Sequence, residues 1–249
     1  MTEQVVPRED TASYTQMTAD VYDAIYSWKN YEAETARLEQ LVKKYKKTDG
    51  NDLLEVACGT GLYLQFLKDK FSVVGVDLSE QQLVGARKRL PGVSFVQGDM
   101  RDFDLHRQFD VVTCLFSSIG YVHPFPEMEK AIQNMSRHLK QGGILVVEPW
   151  LQPDVFDPNR PPHTETGELP EKHIKVTRTG YNSIEGNISI LTLNNVVETP
   201  EGIREFTEKH SLALYTLDEY RQAFETASLV FNQEEPGLTD RDLYVGIKP

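Results

Sequence analysis

The sequence predicts an α/β fold: a doubly wound, mainly parallel sheet with an N-terminal helical cap and an antiparallel β insertion. Two observations carry this expectation. Residues 51–150 alternate short apolar runs with helical stretches, the rhythm of successive βα units. Several of those runs are nearly continuous rather than alternating, as parallel strands covered on both faces require.

The elements follow in order. Residues 1–50 are expected to form the helical cap, since Leu38, Leu41, Val42 and Tyr45 recur at helical spacing. The core spans residues 51–150, with strands expected over 53–56, 72–77, 93–97, 110–116 and 143–148. Between them, "SEQQLVGARKRL" opens with Ser79 and carries Gln82 three residues on, the signature of a capping box. "PEMEKAIQNMSRHLKQGG" sets Met128, Ala131, Ile132, Met135 and Leu139 on one face and is expected to stop at Gly142-Gly143. Residues 151–215 begin as a proline-rich lid loop and continue from His173 as strands, with turn signals at "EGN" and "TPEGI". Residues 216–249 return to the core with "TLDEYRQAFETA", capped by Thr216 and Glu219, and a final strand in "DLYVGI".

Composition narrows the function. A chain of 249 residues with 39% hydrophobic and 10% aromatic content can bury a core of ordinary size. It has no apolar run near the length of a membrane span, and "MTEQVVPRED" lacks the features of a secretory signal. Two cysteines, Cys58 and Cys114, make no disulfide framework, so a cytoplasmic protein is expected. The net charge of −12 argues against a surface that tracks nucleic-acid phosphates, and the basic run at residues 43–47 reads as a solvated helix face. No histidine or cysteine cluster has metal-ligand spacing, so no metal is expected.

The chemistry gathers at the carboxyl edge of the sheet. "LLEVACGTGLYLQFL" runs from a strand through Gly59-Thr60-Gly61 into a helix, and a turn lets backbone approach a ligand closely where no Cβ intervenes. The pyrophosphate-binding fingerprint would need a third glycine where Leu64 stands, which disfavours a nicotinamide oxidoreductase. The next strand ends at Asp77, whose carboxylate can accept both hydroxyls of a ribose, and the third ends in "QGDM", setting Asp99 at the same edge. A ligand with a ribose and an adenine is therefore expected.

These motifs resemble those of class I S-adenosylmethionine-dependent methyltransferases: "EVACGTG" the first, "VGVDLS" the second, "QGDM" the third and "LKQGGILVVE" the post-strand-four motif. Within that superfamily the chain resembles the N,N-dimethyltransferases of nucleotide-linked 3-amino deoxysugars, through "ADVYDAIY", "KNY", "ARKRLP", "QGDMRDF", "FSSIGY", "VVEPW" and "LYVG". The resemblance implies a seven-stranded, Rossmann-like methyltransferase sheet, S-adenosylmethionine as cofactor, a sugar nucleotide as acceptor and a homodimer. It implies that Ala57, Gly59 and Gly61 face the methionine portion, with Glu55 near its ammonium. Asp77 would hold the ribose, Leu78 and Met100 would sandwich the adenine, and Asp99 would accept from its amino group. Tyr22 and Tyr31 would close the cap over the amino-acid end, and Arg101, Leu115 and Phe116 would complete the cofactor site.

An amine acceptor must lose a proton at or before attack, so a general base would help. Tyr121, His123 and Glu148, after the fourth and fifth strands, are the candidates. Trp150 is a candidate acceptor contact. Arg178 and Arg241 are candidate diphosphate handles, because a guanidinium pairs bidentately with phosphate oxygens. The alternatives are N- or O-methylation of another small molecule, and a non-catalytic cofactor-binding interaction subunit.

Overall fold

The computed structural model describes residues 19–239 and 241–249. The first 18 residues of the expected cap, including the stretch that lacks the features of a secretory signal, lie outside the described residues. The cap within them is two helices, α1 (Ala19–Ile25) and α2 (Tyr31–Tyr45). The core follows as β1 (Asp52–Val56), α3 (Leu62–Leu67), β2 (Ser72–Asp77), α4 (Glu80–Arg89), β3 (Ser94–Gln97), β4 (Phe109–Cys114), α5 (Phe125–Arg137) and β5 (Leu139–Val147). Four strands, β6 (His163–Leu169), β7 (Ile174–Glu185), β8 (Ile188–Thr199) and β9 (Gly202–Ala213), precede α6 (Leu217–Thr226), β10 (Val230–Glu234) and β11 (Leu243–Ile247).

The main sheet has the order β10-β11-β5-β4-β1-β2-β3. It is parallel from β3 through β5, and β11 runs antiparallel to both its neighbours. Its apolar strands are buried from both sides because alternate residues feed two cores. Leu54, Val56, Val112, Cys114, Leu145 and Val147 pack with α5 and α6. Leu53, Val111, Ile144, Val146, Leu243 and Val245 pack with α2, α3 and α4. The strand-order reversal between β1 and β4 opens the crevice where sheets of this kind bind ligands.

β6–β9 form a separate antiparallel sheet. One face of it packs on α1, where Val21, Ala24 and Ile25 meet Val176, Val197 and Phe206. Several local expectations change. The proline-rich lid is a loop only to residue 162, because 163–169 pair with β7 as a full strand. Ser79 caps α4 by accepting from the Gln82 N–H, but Gln82 makes no return bond, so this is half a capping box. Thr216 and Glu219 make both halves. α5 ends at Arg137, and Leu139 already belongs to β5 beside Phe109, so Gly142-Gly143 do not end the helix.

Gly167 on β6 is where the cap comes closest to the second sheet: a Cβ there would lie 2.0 Å from the Ala24 carbonyl oxygen. Gly167→Ala should therefore displace α1, lower stability by about 1–3 kcal/mol, and weaken ligand binding at the crevice beside Tyr22. Thermal unfolding and titration calorimetry check both effects; a wild-type melting temperature would show that α1 does not need this contact.

Candidate functional site

The site begins at the exit of β1. Gly59 (φ 52°) and Gly61 (φ 75°) both adopt left-handed backbone conformations, and Ala57 joins them at φ 58°. That region costs a residue with a Cβ, so Ala57 holds a strained position at the wall of the crevice. A Cβ on Gly59 would meet no protein atom within 4 Å; it would project into open space. Gly61 does otherwise. Its N–H bonds to the Cys58 carbonyl at 2.9 Å, and it lies outside the cavity walls, starting α3. Its service is to the turn rather than to direct contact with a ligand.

Asp77 ties this turn to the next βα unit. Its carboxylate accepts the Gly59 N–H at 2.7 Å and the Ser79 N–H at 2.8 Å. Burial pushes its carboxyl up, and those two N–H groups pull against that shift. Around it lies a cleft of about 350 Å³, lined among others by Tyr22, Ala57, Leu78, Met100 and Tyr121. Asp99 and Arg101 are in the same wall. The Asp99 oxygens accept Arg101 Nε at 2.8 Å and Nη2 at 2.6 Å, so Arg101 orients the carboxylate.

A second, smaller cavity of about 40 Å³ shares Tyr22, Ala57 and Gly59 with the first and reaches Tyr31, Glu55, Leu115 and Phe116. Glu55 is 2% exposed, and its Oε2 has no hydrogen-bond partner. Burial, and then the charge of Asp77, push its carboxyl well up. A lone buried carboxylate oxygen calls for a cation. The two cavities together suit a ligand with an ammonium at one end and a ribose and base at the other, as S-adenosylmethionine has.

The cap closes the smaller cavity. Asp23 of α1 accepts from the Thr60 hydroxyl at 2.8 Å and from Arg89, which also donates to the Thr60 carbonyl, fastening the cap to the glycine turn. Lys29, invisible as a site residue in the sequence, is buried against Glu34 and sits 4.6 Å from the Phe116 ring centre and 5.3 Å from those of Tyr31 and Tyr63. Burial lowers its ammonium pKa while Glu34 opposes the shift.

The acceptor-side candidates separate. Tyr121 lines the large cleft, and its hydroxyl lies 2.7 Å from His210 Nδ1. His123 is not among the lining residues, and its Nε2 is buried without a partner. Glu148 is fully buried with both oxygens engaged: Oε2 accepts the Phe116 N–H at 2.7 Å, while Oε1 accepts Thr239 at 3.0 Å and Arg241 at 3.1 Å. It anchors the β4 exit to the C-terminal loop and is no base for an amine. The Trp150 indole N–H is held by Ser189 at 2.9 Å, which fixes the ring against the second sheet.

Arg178 is corrected outright as a diphosphate handle. It is 4% exposed, and its guanidinium is committed to Asn195 at 2.9 Å, Tyr26 at 3.1 Å and Glu208 at 3.3 Å. On a strand of alternating pattern, the sequence does not say which face carries it. Arg241 keeps capacity: Nη2 bonds Glu148, while Nε is buried without a partner. Its guanidinium carbon lies 5.7 Å from the Phe116 ring centre and 5.9 Å from that of Trp150. Among the described residues, no three histidine, cysteine or acidic side chains gather as a metal site.

Glu55 gives a test with opposite signs for stability and binding. Its raised carboxyl pKa stabilises the fold fully below the ordinary carboxylate range, and that contribution is lost as pH rises through the raised value. Glu55→Gln should therefore melt about 2–4 °C above wild type at pH 8 for each kcal/mol relieved, with the gain vanishing near pH 4. It should also bind S-adenosylmethionine at least tenfold more weakly, since a hydrogen bond to a charged group is worth roughly 1.5–3 kcal/mol. Equal melting at pH 8 with unchanged affinity would refute the role.

Comparisons with known proteins agree with this geometry. Residues 53–143 match the family described as methyltransferase domain. The chain is 36% identical over 240 residues to the dTDP-3-amino-3,6-dideoxy-alpha-D-glucopyranose N,N-dimethyltransferase of Streptomyces fradiae, covering 95% of this chain and 92% of that one. It is also 36% identical over 244 residues to the dTDP-4-amino-2,3,4,6-tetradeoxy-D-glucose N,N-dimethyltransferase of Saccharopolyspora spinosa, covering 96% of each. Its fold matches the S-adenosylmethionine-bound structure of CalS10, an amino pentose methyltransferase from Micromonospora echinaspora, with a TM-score of 0.82 and 34% identity over 92% of this chain and 97% of that one. The glycine turn, the Asp77 carboxylate and the unpaired Glu55 oxygen thus belong to an S-adenosylmethionine-dependent methyltransferase, and the chain is a member of the aminosugar N,N-dimethyltransferase family.

Proposed function

We propose that the acceptor is the amine of a dTDP-linked amino deoxysugar and that it is methylated twice. The observation that carries this reading is the extent of the similarity. It runs over 95% of the chain with the Streptomyces fradiae enzyme and therefore takes in the cap and the second sheet, beyond the cofactor-binding stretch at 53–143. The two relatives act on 3-amino and 4-amino sugars at the same 36% identity, so the 3-amino isomer is the first probe and the 4-amino isomer the second.

S-adenosylmethionine, when bound, supplies a methyl group already activated on a sulfonium. The chain's task is to hold an amine lone pair in line with it, and such positioning supplies about 7 kcal/mol or more in good cases. In this reading Glu55 takes the cofactor ammonium and Asp77 the ribose hydroxyls. Leu78 and Met100 flank the adenine, with Asp99, oriented by Arg101, at its amino group. Tyr22 and Tyr31 exclude water from the methyl. Arg241, with its unpaired Nε between Phe116 and Trp150, is the cationic handle for the diphosphate in an otherwise acidic protein. Among the described residues no helix is long and apolar enough to cross a membrane. The buried free thiols of Cys58 and Cys114 favour a cytoplasmic enzyme, and the family resemblance favours a homodimer.

Mass spectrometry after incubation with S-adenosylmethionine and a dTDP-3-amino deoxysugar should show successive gains of one and two methyl groups. Arg241→Met should raise KM for the linked sugar about tenfold or more beyond its effect on the free amino sugar. An equal effect on both substrates would remove Arg241 from the diphosphate, and methylation of unlinked amines alone would replace the sugar nucleotide with another small-molecule acceptor.

A further inference from the structure

We propose that His210 of the second sheet, supported by Glu208, is the proton sink of amine methylation, reached through the Tyr121 hydroxyl. The proposal rests on the amine acceptor of the proposed function and adds the route by which that amine loses its proton.

The geometry is a short polar path from the large cleft into the second sheet. Tyr121 is in the cleft wall, beside Ser118 and Val122. Its hydroxyl lies 2.7 Å from His210 Nδ1, and the two rings are 5.9 Å apart at 58°. His210 is 4% exposed, because β9 turns Phe206, Glu208, His210 and Leu212 inward. Its Nε2 faces Glu208 Oε2 at 3.9 Å. Glu208 in turn accepts from Arg178 and Asn195, each at 3.3 Å.

Among the described residues, three strands bring charge to the far end of this path. Arg178 on β7 carries one positive charge; Glu208 on β9 and Glu165 on β6, 4.0 Å from Arg178, carry two negative ones. Asn195 on β8 and Tyr26 beyond α1 also bond Arg178. Arg178, misplaced as a phosphate handle, thus acts as the counter-ion that fixes Glu208.

The transfer conserves atoms and charge. The amine lone pair forms the N–C bond, and the C–S bond breaks with its electron pair going to sulfur, which leaves the positive charge on nitrogen. One N–H proton of this ammonium passes to Tyr121 Oη as the tyrosine's own proton passes to His210 Nδ1. The products are a neutral methylamine, an unchanged tyrosine and an imidazolium. The methylamine has regained the lone pair that a second methylation needs. The reverse hop through Tyr121 returns the proton to solvent once the cleft reopens. Tyr121 is thus the catalytic residue, and His210 acts through it.

Two measurements decide the proposal. The variants are His210→Gln and Tyr121→Phe, and in His210→Gln S-adenosylmethionine affinity by calorimetry should match wild type. Below pH 8, kcat should fall by on the order of 10- to 100-fold and recover toward wild type above pH 9, where solvent takes the proton. Monomethyl product should accumulate ahead of dimethyl product. A role confined to structure would lower kcat equally at every pH, and a wild-type pH profile and product ratio in both variants overturns the relay. If His210→Gln does not fold, Tyr121→Phe, at the cleft edge, carries the same readout. The second measurement needs no substrate. In wild-type protein labelled with ¹⁵N on histidine, neutral His210 should have a bare Nδ1 and a protonated Nε2, and a proton on Nδ1 overturns the relay. A wild-type enzyme inactive on every dTDP-aminosugar would refute the acceptor reading, and the tautomer would still decide the relay.

Discussion

The Asp77 carboxylate holds the carboxyl edge together. It accepts one N–H from the glycine turn after β1 and another from the start of α4 after β2. Without it, two adjacent βα exits would keep only their strand pairing and the Arg89 link to Thr60, and the left-handed residues of the turn would lose a partner that fixes their positions. Burial pushes this carboxyl up, and the backbone donors oppose the shift by replacing part of the water it has lost. The same donors fix the turn and the helix start that wall the larger cavity.

The cap and the second sheet are built around that edge. α1 carries Tyr22 into both cavities, lays its apolar residues on the second sheet and latches Asp23 to Thr60 and Arg89. One short helix therefore joins the glycine turn, the cofactor cavity and the insertion. This explains how an insertion far along the chain can reach the chemistry: β9 presents His210 to a tyrosine that belongs to the core.

Buried charge is used sparingly and in pairs. Lys29 has Glu34, Arg178 has Glu208, and Arg241 has Glu148. Breaking one member of such a pair leaves the other uncompensated, so these residues resist simple removal whether or not they touch a ligand. Glu55 departs from the pattern. Its open oxygen is at the inner end of the smaller cavity, and in the proposed function the cofactor's ammonium supplies the missing partner.

The alternation of apolar runs with helical stretches, the Gly-Thr-Gly turn and the acidic strand ends were legible in the sequence. They are local: the period of a strand, the conformational freedom of glycine and the position of a carboxylate at a strand exit are all fixed by neighbouring residues. They determined the parallel core and the wall that contains Glu55, Asp77 and Asp99. The roles of Glu148, Arg178 and His210 were decided by contacts between residues 30 to 93 positions apart. The period-two pattern of a strand says that two faces exist, and only packing says which one is buried. That is why Arg178 read as a diphosphate handle and is an internal counter-ion, and why His210, which no motif marks, lies one hydrogen bond from the cleft.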